Sequence, residues 1–396
     1  MRILSLHTAT RLGATVVAAG LLATAGCSSS NSSSSSSSAS AANSSTATAS
    51  SSAGASGTGL AVKQIVLGTT LKHSFQPNGK GANSTESLSQ PDDLVSLGGN
   101  LYVGFQNGVG SQGEVSTSGN LDSTLAEFTP SGSLVKQWDV TGKIDGMGAD
   151  PATGQVFATV NEDAHSSLYV ASGGTVTHYT YTPASLPHLG GTDAVAVDNG
   201  KILISASAPG TGGEAPASAP AVFVVTLNTT AKTAAVAPFF AGNATASGIN
   251  APNAAKKVTL ALTDPDSNGV VPSSSPQYAG DFMLNSQGDE ELIFSAAGGQ
   301  SLQVLKIANS VDDTAWATSA TGTLYTTDSS ANTVDALTGS FTPGTAYTAV
   351  TPCNANSAAA TCATANTLGT INLTTGAISN VTLNGPVQPK GLIFVP

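Results

Sequence analysis

The feature that most constrains this chain is a degenerate internal repeat. Residues 93–103, 145–157, 193–204 and 313–325 share one order: an acidic residue, a short strand of small or apolar residues, a turn, then a strand richer in aromatic or β-branched residues. A looser copy starts near Asp266 and continues through Phe282-Met283-Leu284 to Leu292-Ile293-Phe294, and a truncated one begins near Lys390. Starts at 93, 145, 193, 266, 313 and 390 give steps of 52, 48, 73, 47 and 77. The two long steps hold insertions: the Gly/Ala/Pro run 209–220 with segment 241–257, and a loop around 353–362. Units of this size cannot bury an apolar face alone, so they must stack on one another.

The local pattern is all-β. No segment has the apolar spacing of an ordinary helix. Leu101–Phe105, Leu168–Val170, Ile202–Ile204, Val222–Val225, Leu292–Phe294 and Leu392–Val395 are short β-rich runs bounded by turn residues. Gly98-Gly99-Asn100, Pro130-Ser131-Gly132, Asp198-Asn199-Gly200 and Thr374-Thr375-Gly376 supply the turns. A period near 48 suits a four-stranded propeller blade. The expected fold is a single β-propeller over residues 60–396, with six blades the first count and seven the second. Segment 62–71 is expected to complete the truncated last unit and close the ring. The competing reading is a pair of β-sandwiches. Tyr102, Phe157, Tyr169, Trp316, Tyr325 and Phe394 are expected to pack between blades.

The repeat resembles the six-bladed propellers of the NHL-repeat and gluconolactonase-like group, a resemblance of architecture over most of residues 61–396. It implies a rigid ring with function on its loops or at its centre. In the enzymes of that group a central metal is held by acidic and amide side chains from several blades. Asp93, Asp145, Asp193 and Asp313 precede the innermost strands, so they either ring one mouth of the channel in that manner or cap turns.

The N-terminal segment sets the compartment. Arg2 and Arg11 precede an apolar run, 12–25, which at fourteen residues is shorter than the roughly 20 needed to span a bilayer. It ends in Leu-Leu-Ala-Thr-Ala-Gly-Cys, residues 21–27, which resembles the lipobox of bacterial lipoproteins, with Thr24 where leucine is usual. The resemblance implies that residues 1–26 are a signal peptide and that Cys27 carries a diacylglycerol. The alternative is an ordinary signal peptide with an incidental cysteine. Residues 27–59 are Ser/Ala-rich and nonperiodic, a disordered tether reaching about 30 Å. The chain is expected at the bacterial cell envelope, and Ser28 is compatible with the outer membrane where the cell has one.

Charge narrows the partners. Both arginines lie in the first 26 residues, which leaves 11 lysines against 24 acids, a formal charge of −13. Without arginine the body is poorly suited to nucleic acid or phosphate-rich ligands. Membrane attachment must come from the lipid. Cys353 and Cys362, nine positions apart in a polar segment of an exported chain, read as a disulfide pinning a loop.

Among site motifs, His73, His165, His178 and His188 form no HExxH, and no GxSxG is present. Asp264-Pro-Asp266-Ser-Asn268-Gly269 places side-chain oxygens at positions 1, 3 and 5 with Gly at 6. That resembles the start of a calcium loop, although Ser275 stands where a bidentate Glu belongs. The competing reading is an Asx-rich turn. The sequence therefore points to an envelope-anchored binding or scaffold protein that needs no cofactor unless the 264–268 segment takes calcium. Its ligand would be a protein or a glycan. The alternative is a metal-dependent hydrolase or lactonase resembling the gluconolactonase group.

Overall fold

The computed structural model describes residues 59–184, 186, 191–207, 218–296, 299, 301–352 and 365–396. The fold is all-β, with short 3-10 turns at Gly68–Thr70 and Pro77–Gly79. Strands pair as antiparallel meanders. Pro91–Leu97, Asn100–Phe105, Asp122–Phe128 and Leu134–Thr141 lie side by side in chain order. So do Ile144–Asp150, Gln155–Val160, Ser167–Ser172 and Thr175–Thr182, and then Val195–Asp198, Lys201–Ser205, Pro220–Asn228 and Thr233–Ala241; these two sets are joined at their outer strands, where Thr180 to Thr182 pair in parallel with Thr233 to Ala235. A fourth set runs Pro265–Val270, Phe282–Ser286, Glu291–Ser295 and Leu302–Lys306. The hairpins use the turn residues the sequence offers. Leu97 pairs with Asn100 across Gly98-Gly99, both at positive φ (61° and 83°), as a two-residue hairpin turn demands.

The fifth repeat departs from the sequence reading. Val311–Trp316 was expected to pair with the strand containing Leu324-Tyr325. It pairs instead with Ala346–Val350, followed by Thr367–Ile371 and Ile378–Asn380. The hairpin Thr323–Asp328/Thr333–Thr338 joins the last sheet, between Leu392–Val395 and Leu60–Leu67. Packing explains the exchange: Leu324 and Leu337 are fully buried in a core shared with Leu392 and Phe394. This sheet holds both ends of the body. Ala61 pairs with Thr338, and Thr323 with Val395. Part of the segment read as an insertion also forms strands, Thr245–Gly248 and Lys257–Thr259, at the outer edge of the fourth sheet.

Neighbouring sheets pack face to face over separate cores. Leu101, Val103 and Phe128 meet Tyr325 and Val334, while Leu125 and Val140 meet Ile144 and Val156. Leu168 and Val170 meet Val195 and Ile204, and Leu203 and Val222 meet Phe282 and Ile293. Leu292 and Phe294 meet Val311 and Ile371, and Ala349 and Leu368 meet Leu324 and Leu392. Each large side chain so buried contributes about 1.5–3 kcal/mol. Phe157, Tyr169, Trp316, Tyr325 and Phe394 are buried as expected, and Tyr102 is partly buried. The first strand of each sheet lies beside the next in a closed order, with Leu392–Val395 returning to Pro91–Leu97. Gly146 permits one of these approaches, because a Cβ there would stand 2.3 Å from the Ala194 Cα.

Candidate functional site

Each first strand enters its sheet with the same irregularity. Between Pro91 and Leu94 the strand bulges, so that Asp92 and Asp93 oppose the single residue Gly104. Asp145-Gly146 oppose Thr159, Asp266-Ser267 oppose Asn285, and Asp312-Asp313 oppose Ala349 in the same way. Asp193-Ala194 against Ser205, and Lys390-Gly391 against Thr327, repeat the pattern in their backbone hydrogen bonds. A bulge re-aims side chains. Here it presents a ring of equivalent residues: Asp92, Asp145, Asp193, Asp266, Asp312 and Lys390.

All twelve bulge residues line one chamber of about 170 Å³, together with Lys143, Glu162, Asp264 and Gln287. The chamber therefore has nine carboxyls and two lysines on its wall. Side chains stitch the seams around it. Asp93 Oδ2 accepts the Met147 N–H at 2.6 Å, and Asp313 Oδ2 accepts the Leu392 N–H at 2.7 Å. Thr159 Oγ1 donates to the Asp193 carbonyl at 2.6 Å, Ser205 Oγ to Asp266 at 3.0 Å, and Asn285 Nδ2 to Val311 at 2.6 Å.

The charges are incompletely matched. Lys143 Nζ lies 2.8 Å from Asp145 Oδ1 and 2.5 Å from Glu162 Oε1, and Lys390 pairs with Asp92. Gln287 Nε2 donates to Asp266 Oδ2 at 3.0 Å and more weakly to Asp312 Oδ1 at 3.3 Å. Asp145 is 4% exposed, and its Oδ2 has no hydrogen-bond partner. Ser267, 9% exposed, has an unpartnered Oγ.

Burial and mutual repulsion hold protons on this cluster. Burial pushes Asp145 up to about 8, against the pull of Lys143 and with Glu162 and Asp92 adding repulsion. Burial raises Asp313 to about 7 in spite of the backbone N–H groups of Leu392 and Thr314. Asp264 rises to about 6 through burial and then Glu162. Burial, reinforced by neighbouring carboxylates, lifts Asp93, Asp193 and Asp266 well above the usual range. Burial alone would lower Lys143 and Lys390, but their acidic neighbours outweigh it and both rise.

A second cavity of about 360 Å³ adjoins the first and shares Asp93, Ala194, Ser267 and Asp313 with it. Its remaining wall is largely apolar and includes Val95, Met147, Val195, Val270, Trp316 and Phe394. Trp316 and Phe394, expected as packing residues, thus also face the ring interior.

The four repeat acids singled out from the sequence come together. Asp93, Asp145, Asp193 and Asp313 all line the chamber, and Asp93 and Asp313 also accept the backbone N–H of the residue that follows each, Leu94 and Thr314, at 2.6 Å. The 264–268 segment is a strand, Pro265–Val270, rather than a loop. Asp264 and Asp266 face the chamber. Asn268 lies on the apolar cavity and donates to the Ala194 carbonyl at 2.9 Å. Among the described residues, no group of three or more His, Cys, Asp or Glu is placed to hold a metal ion. Cys27, Cys353, Cys362 and His188 lie outside the described residues. Sequence reasoning missed Lys143 and Glu162, which fall outside the repeat, and Gln287, which lies between the later strands of the looser copy. The doublets Asp92-Asp93 and Asp312-Asp313 were a signal that two acids enter together.

No family model and no curated protein matches this sequence. Similar solved structures include a streptogramin B lyase, at 12% identity and TM-score 0.39, covering 81% of this chain and 90% of that one. A protein of unknown function from Bacteroides caccae is similar at 9% identity and TM-score 0.44, covering 85% and 99%. Apo AztD from Citrobacter koseri is similar at 10% identity and TM-score 0.33, covering 79% and 76%.

Proposed function

We propose that residues 60–396 form a six-bladed propeller and that the chain is a non-catalytic binding protein whose ligand seat is the acidic chamber. The observation that carries this reading is the ring of five aspartates and one lysine set by equivalent bulges, with Asp145 Oδ2 left without a partner. A chamber with nine carboxyls and two lysines attracts cations as its carboxyls shed their protons, and its low-dielectric wall strengthens that field. The blade count rests on the closed order of the first strands and the separate cores between sheets. A lipid on Cys27 would hold the ring at the envelope, with residues 28–59 as its tether.

Calorimetric titration of the full-length protein with calcium, magnesium, zinc, ammonium and simple primary amines tests the reading. Cation binding that weakens at least tenfold in Asp145→Asn supports it, and absence of binding by every cation removes it. The hydrolase alternative requires oxygens converging on one ion. A stoichiometric metal in the exported protein, with metal-dependent turnover of a lactone or ester, would favour that reading instead.

A further inference from the structure

We infer that the ligand is a small amphipathic primary amine, its ammonium in the acidic chamber and its apolar body in the adjoining cavity. This inference rests on the reading of the chamber as a cation seat. Three observations point to it. First, the two cavities share Asp93, Ala194, Ser267 and Asp313 in their walls, so an apolar wall lies directly beside the chamber. Second, the apolar cavity is the larger, about 360 Å³ against about 170 Å³, so most of the ligand's volume would lie among Val95, Met147, Val195, Val270, Trp316 and Phe394. Third, two unsatisfied groups sit on the headgroup side, while one, Asn268 Oδ1, belongs to a residue on the wall of the larger cavity. Asp145 Oδ2 and Ser267 Oγ are both more than nine-tenths buried, without partners, on residues that line the chamber, and Ser267 lines both cavities.

An ammonium offers three N–H donors and no acceptor, which matches the chamber carboxyls once they give up their protons, because an ionised carboxylate only accepts. A quaternary ammonium has no N–H and would leave Asp145 Oδ2 unsatisfied. A carboxylate or phosphate headgroup would meet a wall of like charge. Lys390 is the chain's own version of this contact, since its ammonium already lies against Asp92 in the same ring.

The test is a homologous series of n-alkylamines from methylamine to octylamine, titrated at pH 7.5 into the full chain carrying Cys27→Ala so that no lipid is attached. Octanol, octanoate, 1,4-diaminobutane and calcium serve as comparisons. Affinity is expected to rise about three- to fourfold per added methylene until the apolar cavity is filled. Octylamine is expected to outbind octanol and octanoate at least tenfold. Asp145→Asn, checked by an unchanged far-ultraviolet spectrum and a cooperative melt, is expected to weaken octylamine at least tenfold. The chain-length series needs no variant, so a misfolded Asp145→Asn would leave the test intact. Binding of calcium or short amines with no gain from chain length would overturn the amphipathic ligand while the cation seat stands. Equal binding of octanol and octylamine would overturn the ammonium. Binding by no cation would overturn the seat itself.

Discussion

Lys390 pairs with Asp92 across the seam where the last strand of the chain meets the first strand of the ring. It stands at the position that carries aspartate in the other five bulges, and Asp312 on its other side also raises its proton affinity. The one basic member of the ring thus sits where the closing sheet packs beside the first sheet. Replacing it leaves two carboxyls facing each other with no intervening charge. Lys390 is about a third exposed, so the loss is smaller than for a fully buried pair. Lys390→Ala is expected to lower stability by about 2 kcal/mol, read from the urea midpoint, and Asp92→Asn in the same chain to recover part of it.

Stability should fall as pH rises through the neutral range. Asp264, Asp313 and Asp145 have folded values of about 6, 7 and 8, above the unfolded value near 3.9. Between those limits the folded state binds more protons than the unfolded state, so raising the pH draws the equilibrium toward unfolding. The effect begins near pH 4 and, for these three groups, is complete by about pH 9. The raised lysines titrate above this window and do not oppose it. The melting temperature is expected to be higher at pH 5 than at pH 8, with a smaller difference in Asp145→Asn. A rise from pH 5 to pH 8 would contradict the proton-holding cluster.

Ligand affinity should move in the opposite direction. A primary amine remains charged from pH 5.5 to 8, while the chamber carboxyls lose protons over that range. Amine binding is expected to tighten several-fold across it in calorimetric titrations. A flat profile would place the ammonium away from Asp145 and Asp313.

Gly146 tests the closeness of the ring. A Cβ at this position would lie 2.3 Å from the Ala194 Cα and 2.5 Å from the Asp193 carbonyl oxygen, both backbone atoms that cannot rotate away. Gly146→Ala is expected to cost about 1–3 kcal/mol and to weaken cation binding by displacing Asp193. A neutral effect on both would show that the two first strands are further apart than described.

The tether and the loop have their own tests. Labelling with palmitate should depend on Cys27, and Cys27→Ala should release the protein from membranes. A non-reducing digest should hold the peptides of Cys353 and Cys362 together, and free thiols in freshly exported protein would count against the bridge.

Much of the strand content was legible in the sequence because turn residues and β-rich runs are local. The repeat was legible to within one residue. Asp93 and Asp313 were read as equivalent to Asp145, but the equivalent residues are Asp92 and Asp312. A bulge places two residues against one, and nothing local in Asp92-Asp93 says which comes first. The membership of the 323–338 hairpin was not legible, since the period is the same whichever sheet a strand joins. The chamber was half legible. Its acids recur at a fixed place in the repeat, but Lys143, Glu162 and Gln287 reach it only through the closure of the ring. The oxygen spacing at 264–268 does not by itself separate a strand from a loop, and the fold turns Asp264 and Asp266 to the chamber and Asn268 to the apolar cavity.

The most direct measurement is a crystal structure of the body grown at pH 8 with octylamine. The amine nitrogen is expected within hydrogen-bond distance of Asp145 Oδ2, with its alkyl chain against Trp316 and Phe394. An amine bound elsewhere, with Asp145 Oδ2 still unpartnered, would contradict the chamber as the ligand seat.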